Sequence, residues 1–171
     1  GYKEINKYFC LKLAQKGFLV ASINYRLAGS VLFDDQIRDI FAALKWLGEN
    51  LSQYPADMNN IFLAGDSAGG HFACVTTAVN LNKDMQKDFG VDYIGYDFKA
   101  VAAICPAVDL LSPNFLMNVN VPILLGDKWR KSHALFLGHK LVQIPEIVFF
   151  RFVLMFGHTV SPPSRVIFCN I

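Results

Sequence analysis

Apolar positions recur along the chain with two different periods, and their alternation predicts its elements. Between Glu4 and Lys16, the residues Ile5, Tyr8, Phe9, Leu11, Leu13 and Ala14 fall at mostly helical spacing. Gly17 follows as a carboxyl-terminal stop, so the segment reads as a helix. Phe18 to Tyr25 is rich in aliphatic residues and reads as a strand ending at Arg26-Leu27-Ala28-Gly29. Ile37, Ile40, Phe41, Leu44 and Leu47 then repeat at three- and four-residue intervals, giving a second helix one apolar face, with Asp34 or Asp35 placed to cap its start. A polar loop over 50–60 leads to Ile61–Ala64, four apolar residues bounded by Asn60 and Gly65, which is the pattern of a strand buried on both faces. Ala68 onward favours helix.

Further along, Asn82 to Asp97 is polar and aromatic and reads as a surface excursion, after which Lys99 to Cys105 resumes as a buried strand stopped by Pro106. From Asp109 to Lys140 the chain is loop-rich, so a region of about 109–146 is expected to form a lid or substrate wall. Ile147 to Met155 reads as one more strand, and Pro162-Pro163 breaks whatever follows. The order helix, strand, helix, strand, helix predicts an α/β fold: a mostly parallel sheet, joined by right-handed crossovers and covered by helices on both faces. At 171 residues the whole chain, 1–171, is expected to form a single domain.

Composition supports buried strands and narrows the partners. The chain is 53% hydrophobic and 18% charged, so most of its strands should be covered on both faces. A net charge of +2 with no basic run gives no reason to expect nucleic acid or an anionic membrane as a partner. Cys10, Cys74, Cys105 and Cys169 stand apart in apolar surroundings, without C-x-x-C or Cys/His metal spacing. They read as buried free thiols of a reducing, cytoplasmic compartment, and neither a metal nor a cofactor is expected. No leader-like segment opens the sequence, and the apolar stretch Ile147 to Phe156, interrupted by Arg151, is too short to span a bilayer.

The candidate chemistry sits where the Ile61–Ala64 strand meets the next helix. Gly65-Asp66-Ser67-Ala68-Gly69 satisfies the G-x-S-x-G pattern of a nucleophile elbow, and the strand before it and helix after it are the context that motif requires. In this device the serine occupies a strained turn that lifts its hydroxyl clear of the sheet edge. Small neighbours let strand and helix approach closely, and the helix amino end directs N–H groups at a developing oxyanion.

Several motifs together resemble the α/β-hydrolase fold, and within it the hormone-sensitive-lipase-like esterases and their bacterial carboxylesterase relatives. Asn24-Tyr25-Arg26-Leu27-Ala28 resembles that family's Y-R-L-A segment, and Ala43 to Leu47 its A-x-x-W-[LI] helix. Gly65-Asp66-Ser67-Ala68-Gly69-Gly70 matches its G-D-S-A-G-G elbow, and Pro106-Ala107-Val108-Asp109 is similar to its P-x-x-D. The likeness runs in family order from about Tyr2 to Asp109 and thins beyond. It implies hydrolysis of short acyl esters, with Ser67 as nucleophile, the Ala68 N–H as oxyanion donor, and Gly65, Asp66, Gly69 and Gly70 shaping the elbow.

Departures from the family pattern matter as much. The H-G-G-G loop that would precede the first helix is absent, and the acid and histidine expected in that order after the elbow have no clear counterpart. Of His71, His133, His139 and His158, the first lies one turn into the elbow helix and is directed away from the serine. His133 and His139 fall in the loop-rich region, and His158 follows a strand but stands where the acid is expected. Asp109 and Asp127 are loop aspartates that turns explain.

Three readings follow. The chain is an esterase fragment, an α/β-hydrolase core incomplete at both ends and inactive alone; or it is a non-catalytic small-molecule binding protein of the same fold; or it is a minimal hydrolase using His158 with Asp109 or Asp127. An incomplete sheet would also leave an uncovered edge through which a homodimer could form.

Overall fold

The computed structural model describes residues 2–106 and 164–170. Along the chain run α1 (Lys7–Ala14), β1 (Phe18–Ile23), α2 (Phe33–Asn50), a 3-10 turn (Leu51–Gln53), β2 (Ala56–Asp66), α3 (Ala68–Leu81), α4 (Lys83–Phe89), β3 (Ala100–Ile104) and β4 (Ser164–Asn170). The four strands form one sheet in the order β1-β4-β2-β3, and every pairing is parallel. All carboxyl ends therefore lie along one edge, which is where ligands bind in sheets of this kind.

Strand alternation divides the core. Ile61 and Leu63 of β2, Val101 and Ala103 of β3 and Val166 of β4 face α2, α3 and α4 and join the main cluster. Their intervening neighbours Phe62, Ala64, Ala102 and Ile167 face the other way, where Cys10 and Leu13 of α1 pack. Both faces of the sheet are thus covered by helices, as the pattern predicts. The cover is unequal, because α1 buries none of its residues and leaves Tyr8 and Leu11 exposed. The apolar periodicity of 4–16 overstates how much of that helix is packed.

α2 carries the strongest amphipathic signal, and its Ile37, Ile40 and Leu44 have no exposed surface. Its first turn differs from the expectation. Leu32 occupies the cap position, while Asp35 lies inside the helix and accepts the Leu32 N–H at 3.3 Å. Gly48 within this helix has a packing reason: a Cβ there would come within 2.7 Å of the Tyr96 ring. That ring is anchored by its hydroxyl, which donates to the Leu44 carbonyl at 2.7 Å.

Three stretches depart further from the sequence reading. β2 starts at Ala56, inside the expected polar loop, and pairs with β4 across an irregularity between Asp57 and Ile61. The Asp57 carboxylate braces it by accepting from the Asn59 N–H and the Asn60 side chain at 2.9 and 2.6 Å. The segment 82–97 is no surface excursion. Asn82 caps α4 by accepting from the N–H groups of Asp84 and Met85, and Met85, Phe89 and Ile94 are buried. The buried Asn80 side chain holds the return loop, donating to the Tyr96 carbonyl and accepting from the Ile94 N–H.

The third departure is β4. It follows Pro162-Pro163 directly, is last in the chain, and takes the central slot between β1 and β2. Among the described residues, β1 is joined to β2 through it. The insertion predicted at 109–146 and the strand predicted at Ile147 to Met155 lie outside the described residues. Among the described strands, β1 and β3 form the sheet edges available to the expected homodimer.

Among the described residues the thiols are not uniformly buried. Cys74 is buried, Cys10 is intermediate and Cys105 is exposed, all three free. Burial pushes the Cys74 thiol up from 9.0 to about 11. Because the folded pKa lies above the unfolded one, this contribution to stability is complete below about pH 9 and is lost as pH climbs toward 11. Unfolding free energies from urea titrations between pH 8 and 11 are expected to fall more steeply for the parent than for Cys74→Ala, by ~2–3 kcal/mol across the window.

Candidate active site

The site forms at the carboxyl edge of β2. The strand ends at Asp66, α3 begins at Ala68, and Ser67 between them adopts φ 54 and ψ −115. A side chain other than glycine rarely takes positive φ, and the conformation costs about 1–3 kcal/mol, so the surrounding structure must hold it. Ser67 and Ala68 are both exposed, while Gly65, Gly69 and Gly70 around them are buried. A serine hydroxyl therefore stands at the sheet edge with its backbone locked below.

Two hydrogen bonds and one absent side chain supply the lock. The Ser67 N–H donates to the Ile104 carbonyl of β3 at 2.9 Å, and the Ser67 carbonyl accepts the His71 N–H at 3.1 Å as the first bond of α3. A Cβ on Gly70 would lie 3.0 Å from the Gly65 carbonyl oxygen, 3.2 Å from that of Ile104 and 3.2 Å from the Pro106 Cβ. Only glycine lets α3 approach the ends of β2 and β3 this closely. The N–H groups of the first turn of α3, starting with Ala68, have no acceptor within the helix and lie beside Ser67.

His71 is the histidine nearest in sequence, and it is buried. Its ring packs at 5.6 Å from that of Phe33 and 6.1 Å from that of Phe72, inside the layer between α2 and α3. It belongs to the core, as its place one helical turn past the serine predicts. His133, His139, His158, Asp109 and Asp127 lie outside the described residues. Asp66 is exposed at the strand end.

On the β1 side, Tyr25 and Arg26 fix the loop that flanks the edge. The Tyr25 ring packs at 4.8 Å against Phe72 of α3. Arg26 is held by α2 through four polar groups: its N–H and Nε donate to Asp39 Oδ2 at 3.0 and 2.9 Å, Nη2 donates to Asp39 Oδ1 at 2.8 Å, and its carbonyl accepts from Gln36 at 2.9 Å. The Arg26 hydrogen bonds lower the Asp39 carboxyl from its ordinary value. Sequence reasoning marked the Tyr25-Arg26 segment but missed Asp39 and Gln36. The signal was available in their spacing of three on the helix that follows that segment. Trp46 of the A-x-x-W stretch is exposed and joins no part of the site among the described residues.

A cleft of about 480 Å³ lined by Met58, Asn59, Tyr96, Phe98 and Lys99 opens at the amino-terminal ends of β2 and β3. It lies at the opposite edge from Ser67 and takes no part in the elbow. No helix among the described residues is long and apolar enough to cross a membrane, and no cluster of metal-ligating side chains occurs among them.

Comparison with known proteins agrees with this geometry. The family described as BD-FAE matches residues 1–168. The carboxylesterase NlhH of Mycobacterium tuberculosis is 34% identical over 109 residues, covering 64% of this chain and 32% of that protein. Neutral cholesterol ester hydrolase 1 of Pongo abelii is 34% identical over 121 residues, covering 67% of this chain and 28% of that one. Among solved structures, an inhibited esterase B from Lactobacillus rhamnosis superposes with a TM-score of 0.64 at 33% identity, covering 84% of this chain and 43% of that chain. The chain thus spans about a third of the length of the relatives it matches. With a family match that spans nearly all of its residues and a parallel sheet ending in a strained serine turn, the chain belongs to the BD-FAE family of α/β-hydrolase-fold esterases.

Proposed function

We propose that this chain carries the nucleophile of a serine carboxylesterase acting on short acyl esters. The observation that carries the reading is Ser67: an exposed serine at positive φ, between a central parallel strand and the amino end of a helix. The Ser67 Oγ adds to the ester carbonyl carbon, and the carbonyl oxygen becomes an oxyanion beside the first-turn amides of α3, where the Ala68 N–H donates to it. Collapse of the tetrahedral intermediate releases the alcohol and leaves an acyl-serine, which water hydrolyses to the carboxylic acid and free Ser67. The proton of Oγ passes to a general base, and the buried position of His71 among phenylalanine rings makes it unsuited to that part. Of the other histidines, His158 is the candidate base because it follows the expected strand Ile147 to Met155, in the place where family order puts the acid.

Names among the relatives support the substrate class: a carboxylesterase, a neutral cholesterol ester hydrolase and an arylacetamide deacetylase are all at least 30% identical over the matched segment. The solved esterase B structures include one inhibited by a tributyrin phosphonate.

Hydrolysis of p-nitrophenyl acetate and p-nitrophenyl butyrate tests the proposal. The minimal-hydrolase reading expects the parent to turn over both and Ser67→Ala to lose about 10³-fold or more in kcat with its thermal transition preserved, whereas the fragment reading expects no turnover by this chain alone. Turnover that survives Ser67→Ala would remove Ser67 from the reaction. Absence of turnover in the parent, with thermal stabilisation by the unhydrolysed ester, would favour the binding-protein reading.

A further inference from the structure

Two residues other than glycine take positive φ among the described residues, and they are neighbours in space. Ser67 (φ 54) follows the end of β2, and Cys105 (φ 44) follows the end of β3. The ladder between these strands pairs Asp66 with Ile104 as its last step. The 2.9 Å bond from the Ser67 N–H to the Ile104 carbonyl extends the ladder one residue further, so the nucleophile itself donates the terminal bond. Among the described residues, the β4 pairing on the other flank of β2 reaches Gly65 opposite Asn170, and the bond to the Ser67 N–H comes from β3.

The direction of the Ile104 carbonyl depends on how the chain leaves β3. A left-handed residue at 105 turns the chain out of the strand and brings Pro106 against α3, where its Cβ lies 3.2 Å from the Cβ position of Gly70. The same Ile104 oxygen lies 3.2 Å from that position, so the carbonyl is pinned between the elbow N–H and the helix. We propose that the left-handed turn at Cys105 is a positioning device for the nucleophile, holding the Ile104 carbonyl where it fixes the strained backbone of Ser67. The backbone of Cys105 does this; its thiol plays no part.

The kinetic arm of the test rests on the esterase reading, and the exchange arm does not. Amide hydrogen exchange at Ser67 is read by NMR on the full chain. The parent is expected to protect this amide, Cys105→Gly and Cys105→Asn to keep protection within about threefold because both residues accept left-handed backbone, and Cys105→Val to lose it about tenfold or more. Cys105→Ala should fall between, and it keeps the series readable should the valine variant fail to fold.

The kinetic arm follows p-nitrophenyl acetate turnover per phosphonate-titrated serine. There kcat should fall about tenfold in Cys105→Val with KM within about twofold, and recover in Cys105→Gly. An unprotected Ser67 amide in the parent would overturn the proposal, as would protection that persists in both the alanine and valine variants. Loss in Cys105→Gly equal to that in Cys105→Val would overturn it too, by assigning the role to the side chain. A parent without ester turnover would defeat the minimal-hydrolase reading alone, leaving the exchange series to decide the brace.

Discussion

Replacing Val166 with aspartate is expected to abolish the cooperative thermal transition of this chain. Val166 has no exposed surface, and its register partners are Leu19 on one side and Ile61 on the other. Among the described residues a carboxylate there has no polar partner, and it sits in the strand that joins β1 to β2 in the sheet. The cost is about 5 kcal/mol or more, against a total stability of ~5–15 kcal/mol for a domain of ordinary size. Val166→Ala, which removes apolar contacts without adding charge, should cost only about 2 kcal/mol. Arg165→Ala, one residue earlier and exposed, should stay within ~0.5 kcal/mol. Urea unfolding of the three variants checks the series. A Val166→Asp chain that unfolds like the parent would mean that β4 does not occupy the centre of the sheet.

Gly70→Ala is expected to damage the elbow more than the fold. The added methyl would meet the Gly65 and Ile104 carbonyl oxygens at 3.0 and 3.2 Å, and both belong to paired strands that cannot easily yield. α3 would have to lift from the sheet, carrying Ala68 and the turn at Ser67 with it. Overpacking of this kind costs about 1–3 kcal/mol, a loss that leaves most chains folded. Displacement of reacting groups by a fraction of an ångström to an ångström costs far more in rate, so kcat/KM for p-nitrophenyl butyrate should fall ~10²-fold. Kinetics beside a urea titration separates the two effects. Unchanged kcat/KM would show that the close approach at Gly70 is not what sets the position of Ser67.

How far these features could be read from the sequence depends on how local their causes are. The turn at Ser67 was legible because its signals are adjacent: four apolar residues, a glycine, the serine, then small helix-forming residues. The two-faced sheet was legible from the same alternation of periods. β4 was not, because Val166-Ile167-Phe168 after two prolines is a short apolar run that many contexts would accept. Its central place is decided by pairing with strands more than a hundred residues earlier. α4 escaped for a different reason: its seven residues are mostly charged, and only the Asn82 cap and the burial of Met85 and Phe89 make it a helix. The apolar neighbours Ala102, Ala103 and Ile104 suggest burial for Cys105, whereas the strand ends before it and Cys105 itself stands exposed at a left-handed turn. The brace from Ile104 to Ser67 leaves no trace in composition or period, since it joins two backbone groups.

Covalent labelling tests most directly whether Ser67 is the nucleophile. The chain is incubated with an alkyl p-nitrophenyl phosphonate, whose phosphorus accepts the serine oxygen as p-nitrophenolate leaves, and is then digested and sequenced by mass spectrometry. A single phosphonyl adduct on Ser67, absent from Ser67→Ala, is the expected result. An adduct on another residue, or labelling of Ser67 no faster than of the exposed Ser30 and Ser52, would contradict it.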